Sequence, residues 1–407
     1  MVNTLAVVGT GMIGSALVCA LQQALPDIRI VWVGGPVDKP KSEPCTDSRV
    51  IACSLGSQKL FESLGVWPLL REDRIGAYSQ MRVWDHEGTG QIDFSAADFG
   101  DTDTVDDSPE QLGYILENTI LLEALLLRID QHSNQPEKHI PDLLERIEKH
   151  QEGGVSLILA SGIQIDVDLV CAADGASSSL RDWVELPTRS WPCNQRALTA
   201  VVKYSKSHLD TAWQAFLPSG PLAFLPLGHP TESSYCSIVW SVDANLVEEI
   251  EQLSDEDFLS RLNRYMPREL GTAELVSRRF GFDLKQRLAG KYYKDRILLV
   301  GDSAHNIHPL AGQGANLGFA DIAELIRQFE RAGARSEQIW SDSVLRRYQR
   351  QRRWQNQAMA HAMDAFRSGF GISEPHLRVV RNQLMHLVQG NKPLKKMLVR
   401  PAESAID

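Results

Sequence analysis

Three glycines near the N-terminus have the spacing of a phosphate-binding turn. They follow the apolar run from Thr4 to Val8, in the sequence Gly9-Thr10-Gly11-Met12-Ile13-Gly14. Glycines at this spacing allow a tight turn, close approach of the backbone to a pyrophosphate and close packing of a helix on a strand. The start of the helix adds unpaired N–H groups and the positive end of its dipole. The motif predicts a dinucleotide site whose binding residues are Gly9, Gly11, Met12, Ile13 and Gly14.

One part of this dinucleotide pattern is missing. An acidic residue about twenty positions after the glycines usually holds the ribose hydroxyls. Here Gly34 and Gly35 follow the second apolar run, Arg29 to Val33, and Asp38 is the nearest carboxylate. Two interpretations stay open: the ribose is held by other groups, or the dinucleotide is bound less tightly.

A second, longer motif follows the apolar run 296–300. It reads Gly301-Asp302-Ser303-Ala304-His305-Asn306-Ile307-His308-Pro309-Leu310-Ala311-Gly312-Gln313-Gly314-Ala315-Asn316-Leu317-Gly318. An aspartate at the end of a strand can accept hydrogen bonds from sugar hydroxyls. The glycine-rich stretch after it opens another helix, whose first turn would stabilise an anion.

Two other interpretations of this motif are disfavoured. A serine-hydrolase turn would need a second glycine where His305 stands. A metal site built on His305 and His308 would need a third histidine or carboxylate at useful spacing, and none follows. We therefore expect neither a hydrolase nor a bound metal.

A third motif follows the apolar run 169–173. It contains Ala173-Asp174-Gly175-Ala176-Ser177 and, a few residues later, Arg181. By itself this motif predicts only a turn at the end of a strand. It indicates a functional site only in combination with the other two motifs.

The elements that must position these motifs alternate between strand and helix at the start of the chain. Residues 14–25 are rich in Ala and Leu and favour a helix, and the β-branched run Arg29–Val33 favours a second strand. Residues 190–245 alternate in a way that indicates a separate antiparallel sheet. Further helices are expected at 54–64, 118–129, 254–265 and from 312 almost to the end; further strands are expected at 155–159, 163–167, 169–173 and 296–300.

Composition excludes some classes of protein. The chain has 407 residues, with 42 Lys and Arg against 52 Asp and Glu, giving a net charge of −10. This charge disfavours nucleic-acid binding because phosphates would be repelled on average. The six cysteines form no CxxC pair and are expected to be reduced and buried. With no leader pattern and no long apolar run, we expect a cytoplasmic protein, at most peripheral at the inner membrane.

Taken together and in this order, the three motifs resemble the class A FAD-dependent aromatic monooxygenases, which have the fold of p-hydroxybenzoate hydroxylase. Shorter matches bring the chain nearest to the bacterial ubiquinone-biosynthesis hydroxylases. These matches are Asp47-Ser48-Arg49, Leu64-Gly65-Val66-Trp67, Val83-Trp84-Asp85, the segments 112–118 and 220–227, and Ser237-Ile238-Val239-Trp240-Ser241. The chain departs from the family pattern at Gly34, Cys53, Asp283 and Ser303.

The resemblance implies an α/β fold: a Rossmann-like FAD-binding domain, an inserted antiparallel-sheet substrate domain and a helical C-terminus. We expect the FAD-binding domain at 1–75, 105–185 and 280–345, the substrate domain at 76–104 and 186–279, and the helical segment at 346–407.

The resemblance also implies residue roles. Gly9, Gly11, Gly14 and Arg49 would hold the diphosphate of FAD, a role that suits a guanidinium. Asp174 and Gly175 would lie behind the groove for FAD and the nicotinamide cofactor, and Asp302 would bind the ribityl chain. The remaining positions would lie at the flavin edge or around its ring: Pro309, Gly312, Gln313, Gly314 and Asn316.

The expected reaction is hydroxylation of a polyprenylated phenol with dioxygen and with NADH or NADPH as electron donor. The cofactor carries the difficult chemistry, so no protein nucleophile is required. His308 is a candidate base for deprotonating the phenol, although it could equally only pack or hydrogen-bond in its loop. The expected substrate wall is the sheet over about 190–279 with Trp84, Phe216, Phe224 and Trp240, although each of these aromatic residues taken alone is more often part of a core.

Basic residues accumulate near the C-terminus. Between Pro375 and Ala402 there are six Lys or Arg and no carboxylate, and an earlier cluster comprises Arg346, Arg347, Arg350, Arg352 and Arg353. Mixed with Leu and Val, such a segment could touch anionic lipid. It could also pack on the FAD-binding domain, or bind other ubiquinone-biosynthesis proteins.

Two other functions remain open for the whole chain. One is an FAD-dependent reductase or dehydrogenase of the same fold. The other is a non-catalytic member of a biosynthetic complex, which Gly34 makes conceivable.

Overall fold

The molecule is built around two β-sheets of different character, one mostly parallel and one mostly antiparallel. A computed structural model describes residues 3–37, 45, 47–98, 111–151, 153–307, 313–370 and 374–395. The predicted α/β class is confirmed, with helices at the C-terminal end.

The first sheet is the scaffold of the N-terminal motif. Its six strands are β1 (Thr4–Val8), β2 (Arg29–Val33), β8 (Glu137–His139), β12 (Leu169–Ala172), β19 (Tyr293–Lys294) and β20 (Ile297–Leu299). Their spatial order is β19-β20-β12-β1-β2-β8, and every neighbouring pair is parallel except β19 with β20. The carboxyl ends of β1, β12 and β20 therefore meet at one edge, and each is followed by one of the three motifs.

The second sheet has nine strands. They are β5 (Gln80–Asp85), β6 (Gln91–Ser95), β13 (Thr188–Tyr204), β14 (Thr211–Leu217), β15 (Gly220–Pro226), β16 (Tyr235–Asp243), β17 (Ala273–Leu275), β18 (Phe280–Ala289) and β21 (His305–Asn306). The order is β21-β18-β13-β16-β15-β14-β5-β6, with β17 beside β13. Strand β21, which belongs to the second motif, thus pairs directly with this sheet.

The predicted domain limits stay a prediction, but residues 280–289, assigned there to the FAD-binding part, pair in this sheet.

Two small sheets complete the strands. One contains β3 (Val50–Cys53), β4 (Gly76–Tyr78) and β7 (Gly113–Glu117); the other contains β9 (Leu144–Lys149), β10 (Val155–Leu159) and β11 (Gln164–Val167). Strands β8 and β9 lie within residues 130–150, a polar stretch with two prolines that indicates surface structure, and neither strand has an apolar alternation strong enough to mark it in the sequence.

The helices are α1 (Met12–Ala24), α2 (Leu55–Ser63), α3 (Asn118–Gln131), α4 (Ser179–Trp183), α5 (Ala244–Glu251), α6 (Asp255–Tyr265), α7 (Gln313–Gly333), α8 (Asp342–Phe370) and α9 (Pro375–Gln389). Capping by serine explains three of the starts. The side chain of Ser178 accepts from the Arg181 amide at 3.1 Å at the start of α4. The side chain of Ser54 accepts from the Ser57 amide at 3.2 Å, and that of Ser254 accepts from the Asp257 amide at 3.1 Å.

The apolar core agrees with the expected strands and helices. The main cluster joins β1, β2, β12 and β20 to α1, α3 and α7, while a second cluster lies between the large sheet and α5 and α6. All six cysteines are free and buried, as predicted. Burial raises the pKa of the Cys19 thiol to about 12, so this thiol stays protonated and unreactive.

Candidate active site

Two glycines of the first motif are required by packing. Gly9 has φ +125°, and a β-carbon built on it would lie 2.2 Å from the carbonyl oxygen of Ala173. A β-carbon on Gly14 would lie 2.1 Å from the carbonyl oxygen of Gly9. These glycines let strand β1 approach the third motif and let helix α1 pack against its own turn.

Gly11 serves a different purpose, because a β-carbon built there would meet nothing within 4 Å. It is the N-cap of α1, with φ −74° and ψ −177°, and no side chain caps the helix. The first turn of α1 also contains no acidic residue. The open space and the uncapped N–H groups fit an anionic group such as a pyrophosphate.

The second motif packs against the first at the side chain of Ile13. A β-carbon built on Gly318 of α7 would lie 2.6 Å from Cδ1 of Ile13, and one on Gly301 would lie 3.0 Å from its Cγ2. Ile13 therefore fills the space that both glycines leave, and the starts of α1 and α7 are held together.

The third motif contacts both of the other motifs. The Ser303 hydroxyl donates to the carbonyl oxygen of Ala172 at 2.6 Å, and the buried Arg181 donates from Nη1 to the Ser303 carbonyl oxygen at 3.0 Å. With Gly9 against Ala173, each motif contacts both of the others. The sequence analysis noted Ser303 only as a departure from the family pattern; its function depends on a contact with a residue 131 positions away.

Two aspartates of the motifs carry carboxyl groups that a ligand could engage. Burial raises the pKa of Asp302, which has no hydrogen-bond partner among the described residues. Burial also raises the pKa of Asp174. Its Oδ2 accepts from the Leu180 amide at 3.3 Å, whereas its Oδ1 is buried without a partner. Such acceptors fit the hydroxyl groups of a bound dinucleotide.

Arg49 and Asn316 lie at opposite ends of strand β3. The Arg49 side chain is half exposed, with Nε 3.4 Å from Oδ1 of the buried Asp47. The Asn316 side chain is buried: it donates to the Ala52 carbonyl oxygen at 2.8 Å and accepts from the Ser54 amide and the Ser57 hydroxyl. Asn316 thus ties α7 to β3 and α2, and its expected place beside the flavin ring stays a prediction.

Other expected site residues are placed only in part. His308, Pro309 and Gly312 lie outside the described residues. Gln313 begins α7, and a β-carbon built on Gly314 would meet nothing within 4 Å. The start of α7 therefore has open space beside it, as the start of α1 does.

The missing acidic residue has a steric explanation. A β-carbon built on Gly34 would lie 2.9 Å from Cγ2 of Thr10, and the Thr10 hydroxyl donates to the Gly35 carbonyl oxygen at 3.1 Å. Threonine in the turn of the first motif thus occupies the space that a larger residue at position 34 would need.

The predicted aromatic substrate wall is wrong for three of its residues. Phe224 and Trp240 are fully buried between the large sheet and the α5–α6 side, where Trp240 lies 6.3 Å from the ring of Phe258. Trp84 packs against the same cluster. Only Phe216 lies on the opposite face.

The face of the large sheet opposite these aromatics carries aliphatic residues beside Ser237 and Ser241 of β16. Ala223, Leu225 and Val239 alternate with the buried residues of β15 and β16, and each is half-buried. Leu225 packs against the cluster that contains Ala52 and Ile115 of the β3–β7 sheet. This aliphatic face therefore points toward the motifs.

Comparison with known proteins agrees with this geometry. A family model described as an FAD binding domain matches residues 147–362. The chain is 32% identical to the 3-demethoxyubiquinol 3-hydroxylase of Escherichia coli (strain K12) over 399 residues, covering 98% of this chain and 97% of that protein. It is 27% identical to the human mitochondrial ubiquinone biosynthesis monooxygenase COQ6, covering 96% and 90%.

A solved structure has the same fold. The crystal structure of p-nitrophenol 4-monooxygenase PnpA from Pseudomonas putida DLL-E4 superposes with a TM-score of 0.78, at 17% identity, covering 100% of this chain and 98% of that one.

Proposed function

We propose, since the chain belongs to the FAD-binding family of flavin-dependent monooxygenases, that it hydroxylates a polyprenylated phenol ring in ubiquinone biosynthesis, with NADH or NADPH as electron donor. The names of the similar proteins support this substrate class. The structural observation that carries the proposal is the mutual contact of the three motifs, which brings the uncapped start of α1, the start of α7 and the carboxyl groups of Asp174 and Asp302 into one region.

The residues of the motifs fit FAD. Bound FAD would relay two electrons from NADH or NADPH to dioxygen and would supply the chemistry that transfers one oxygen atom to the ring. Gly11 and the first turn of α1 would hold the pyrophosphate, together with Arg49. Asp302 and Asp174 would accept hydrogen bonds from hydroxyl groups, and the start of α7 would stabilise negative charge on the ring.

The remaining tasks of the protein are to orient the phenol and exclude water. The aliphatic face of Ala223, Leu225 and Val239, with Phe216, is the proposed substrate wall, because it is apolar and points toward the motifs. His308 remains the proposed base for the phenol proton.

Oxygen consumption tests the proposed reaction directly. With FAD-loaded protein, NADPH or NADH and a short-chain prenylated phenol, we expect dioxygen uptake that depends on the phenol and a product heavier by one oxygen atom. Oxidation of the nicotinamide cofactor without such a product would favour a reductase or dehydrogenase. Protein that takes up no FAD at all would favour a non-catalytic member of a complex.

We also propose contact with a lipid surface, because a polyprenylated substrate resides in the bilayer. In the part of the chain that the structure describes, no helix has the length and apolarity needed to span a bilayer. Helix α9, however, exposes Val379, Val380, Leu384 and Leu387, each between 50% and 58% exposed. The last three follow the i, i+4, i+7 spacing of one helix face.

Three of the basic residues that the structure describes in this segment are paired with carboxylates of the protein. Arg381 donates from Nε to Asp85 at 3.1 Å, Arg378 pairs with Glu87 at 2.8 Å, and Lys395 lies 3.5 Å from Asp98. These pairs fix α9 on the β5–β6 hairpin. We therefore expect apolar insertion rather than attraction to anionic lipid to drive membrane binding.

Flotation with vesicles tests this surface. We expect the wild type to float with neutral phosphatidylcholine vesicles as well as with anionic ones, and a triple variant, V380S with L384S and L387S, to stay unbound. A matched control replaces three exposed apolar residues elsewhere, L127S with L143S and I163S, and should float like the wild type. Equal flotation of the two triple variants would dismiss α9 as the membrane surface.

A further inference from the structure

One buried carboxylate joins the second motif to the C-terminal helix α8. Asp321 of α7 accepts four hydrogen bonds: from the Gly301 amide at 2.9 Å, His305 Nε2 at 2.6 Å, Arg352 Nε at 2.7 Å and Asn356 Nδ2 at 3.3 Å. Its side chain and that of His305 are fully buried, and that of Arg352 is 1% exposed. The sequence analysis gave Asp321 no role and counted Arg352 only within a basic cluster.

The donors come from three different structural units. Gly301 begins the turn that carries Asp302. His305 lies on β21, where it is paired with Leu288 of β18 in the large sheet. Arg352 and Asn356 belong to α8. The turn of the second motif, the large sheet and the C-terminal helix therefore meet at the Asp321 carboxylate.

The cluster is balanced in charge. Burial would raise the pKa of Asp321, but His305 and Arg352 outweigh it and hold this pKa at about 2. Arg352 also donates from Nη2 to the Leu317 carbonyl oxygen at 3.2 Å and to Asn356 Oδ1 at 3.0 Å. Removing one partner would leave a buried charge unpaired, which is much more costly than losing an exposed pair.

We infer that Asp321 and Arg352 are positioning residues for the FAD site, which make FAD affinity depend on the docking of α8. Asp321 holds the Gly301 amide and His305, and so fixes both ends of the turn that carries Asp302. Arg352 fixes Asp321 in turn. The inference rests on the proposed placement of FAD against Asp302.

The coupling between docking of α8 and binding of FAD is reciprocal. If docked α8 favours FAD binding, bound FAD must favour docked α8 by the same factor. Amide hydrogen exchange in α8 should therefore slow when FAD binds, and it should slow more than exchange in α6, which packs on the far face of the large sheet.

Titration of apoprotein with FAD tests the inference in the full chain. We expect D321N and R352M to raise the dissociation constant of FAD by about tenfold, a usual size for coupling between linked sites. R352K keeps the charge and should restore part of the affinity. D85N is the matched control, because Asp85 is also a buried carboxylate paired with an arginine, Arg381, but lies in β5. It should lower the melting temperature and leave FAD affinity unchanged.

The outcomes separate this inference from the proposed function. Wild-type protein that binds no FAD would contradict the proposed function. Wild-type protein that binds FAD, with D321N and R352M binding it equally well, would overturn the inference alone. If D321N does not fold, amide hydrogen exchange in the wild type decides. Exchange that FAD slows more in α8 than in α6 supports the inference, and equal slowing in the two helices overturns it.

Discussion

Replacement of Gly11 by aspartate should leave the chain folded and abolish FAD binding. The N-cap conformation of Gly11, φ −74° and ψ −177°, is one that aspartate adopts readily. A carboxylate there would accept from the first N–H groups of α1 and stabilise the helix by about 0.3–1 kcal/mol. The same carboxylate would occupy the position of the pyrophosphate and repel it.

The size of this effect follows from Coulomb's law. Two like charges about 4 Å apart repel by about 4 kcal/mol near a protein surface, which corresponds to about a thousandfold weaker binding. Thermal unfolding and FAD titration measure the two effects separately. G11A is the control: its β-carbon meets nothing within 4 Å, so it should retain most of the FAD affinity. G11D protein that binds FAD with the affinity of the wild type would contradict the placement of FAD at the start of α1.

Replacement of Gly318 by valine should destabilise the fold and weaken FAD binding together. A β-carbon at this position would already lie 2.6 Å from Ile13 Cδ1 and 3.4 Å from Gly301 Cα. Overpacking of a core usually costs about 1–3 kcal/mol, and relief by moving α7 would separate the starts of the two helices. Denaturant unfolding of the apoprotein and FAD titration measure these losses.

A second substitution should reverse part of this loss. I13A alone should cost less than the about 2–5 kcal/mol of a fully buried isoleucine, because Ile13 is half-buried. Combined with G318V, the valine methyl groups would enter the space that the isoleucine leaves. The double variant should then be more stable than the sum of the single losses by about 1 kcal/mol or more. Strictly additive losses would mean that α1 and α7 do not cross at these residues.

The sequence predicted the motifs well because their residue types are set by local geometry. Gly9 and Gly14 are needed wherever a strand turns into a tightly packed helix, and this local requirement is visible in the spacing alone. The three turns could also be placed together, since parallel strands end at one edge of their sheet.

Other features depend on neighbours that lie far away in the sequence. Gly34 looked like a lost binding residue, but Thr10 fills the space beside it. For Phe224 and Trp240 the sequence left a place in the core and a place in the substrate wall both open, because alternation in a strand shows which residues share a face but not which face the helices cover. In the sequence, Arg352 is one of several clustered basic residues. In the fold, its guanidinium is buried and pairs with Asp321.

Stoichiometry of FAD binding tests the central claim most directly. If the starts of α1 and α7 hold opposite parts of one cofactor, titration of the apoprotein, followed by visible absorbance, should end at one FAD per chain. Both G11D and D302A should abolish that single uptake, although the two positions are far apart in the sequence. Uptake of FAD that survives either substitution would contradict a shared site between the two helices.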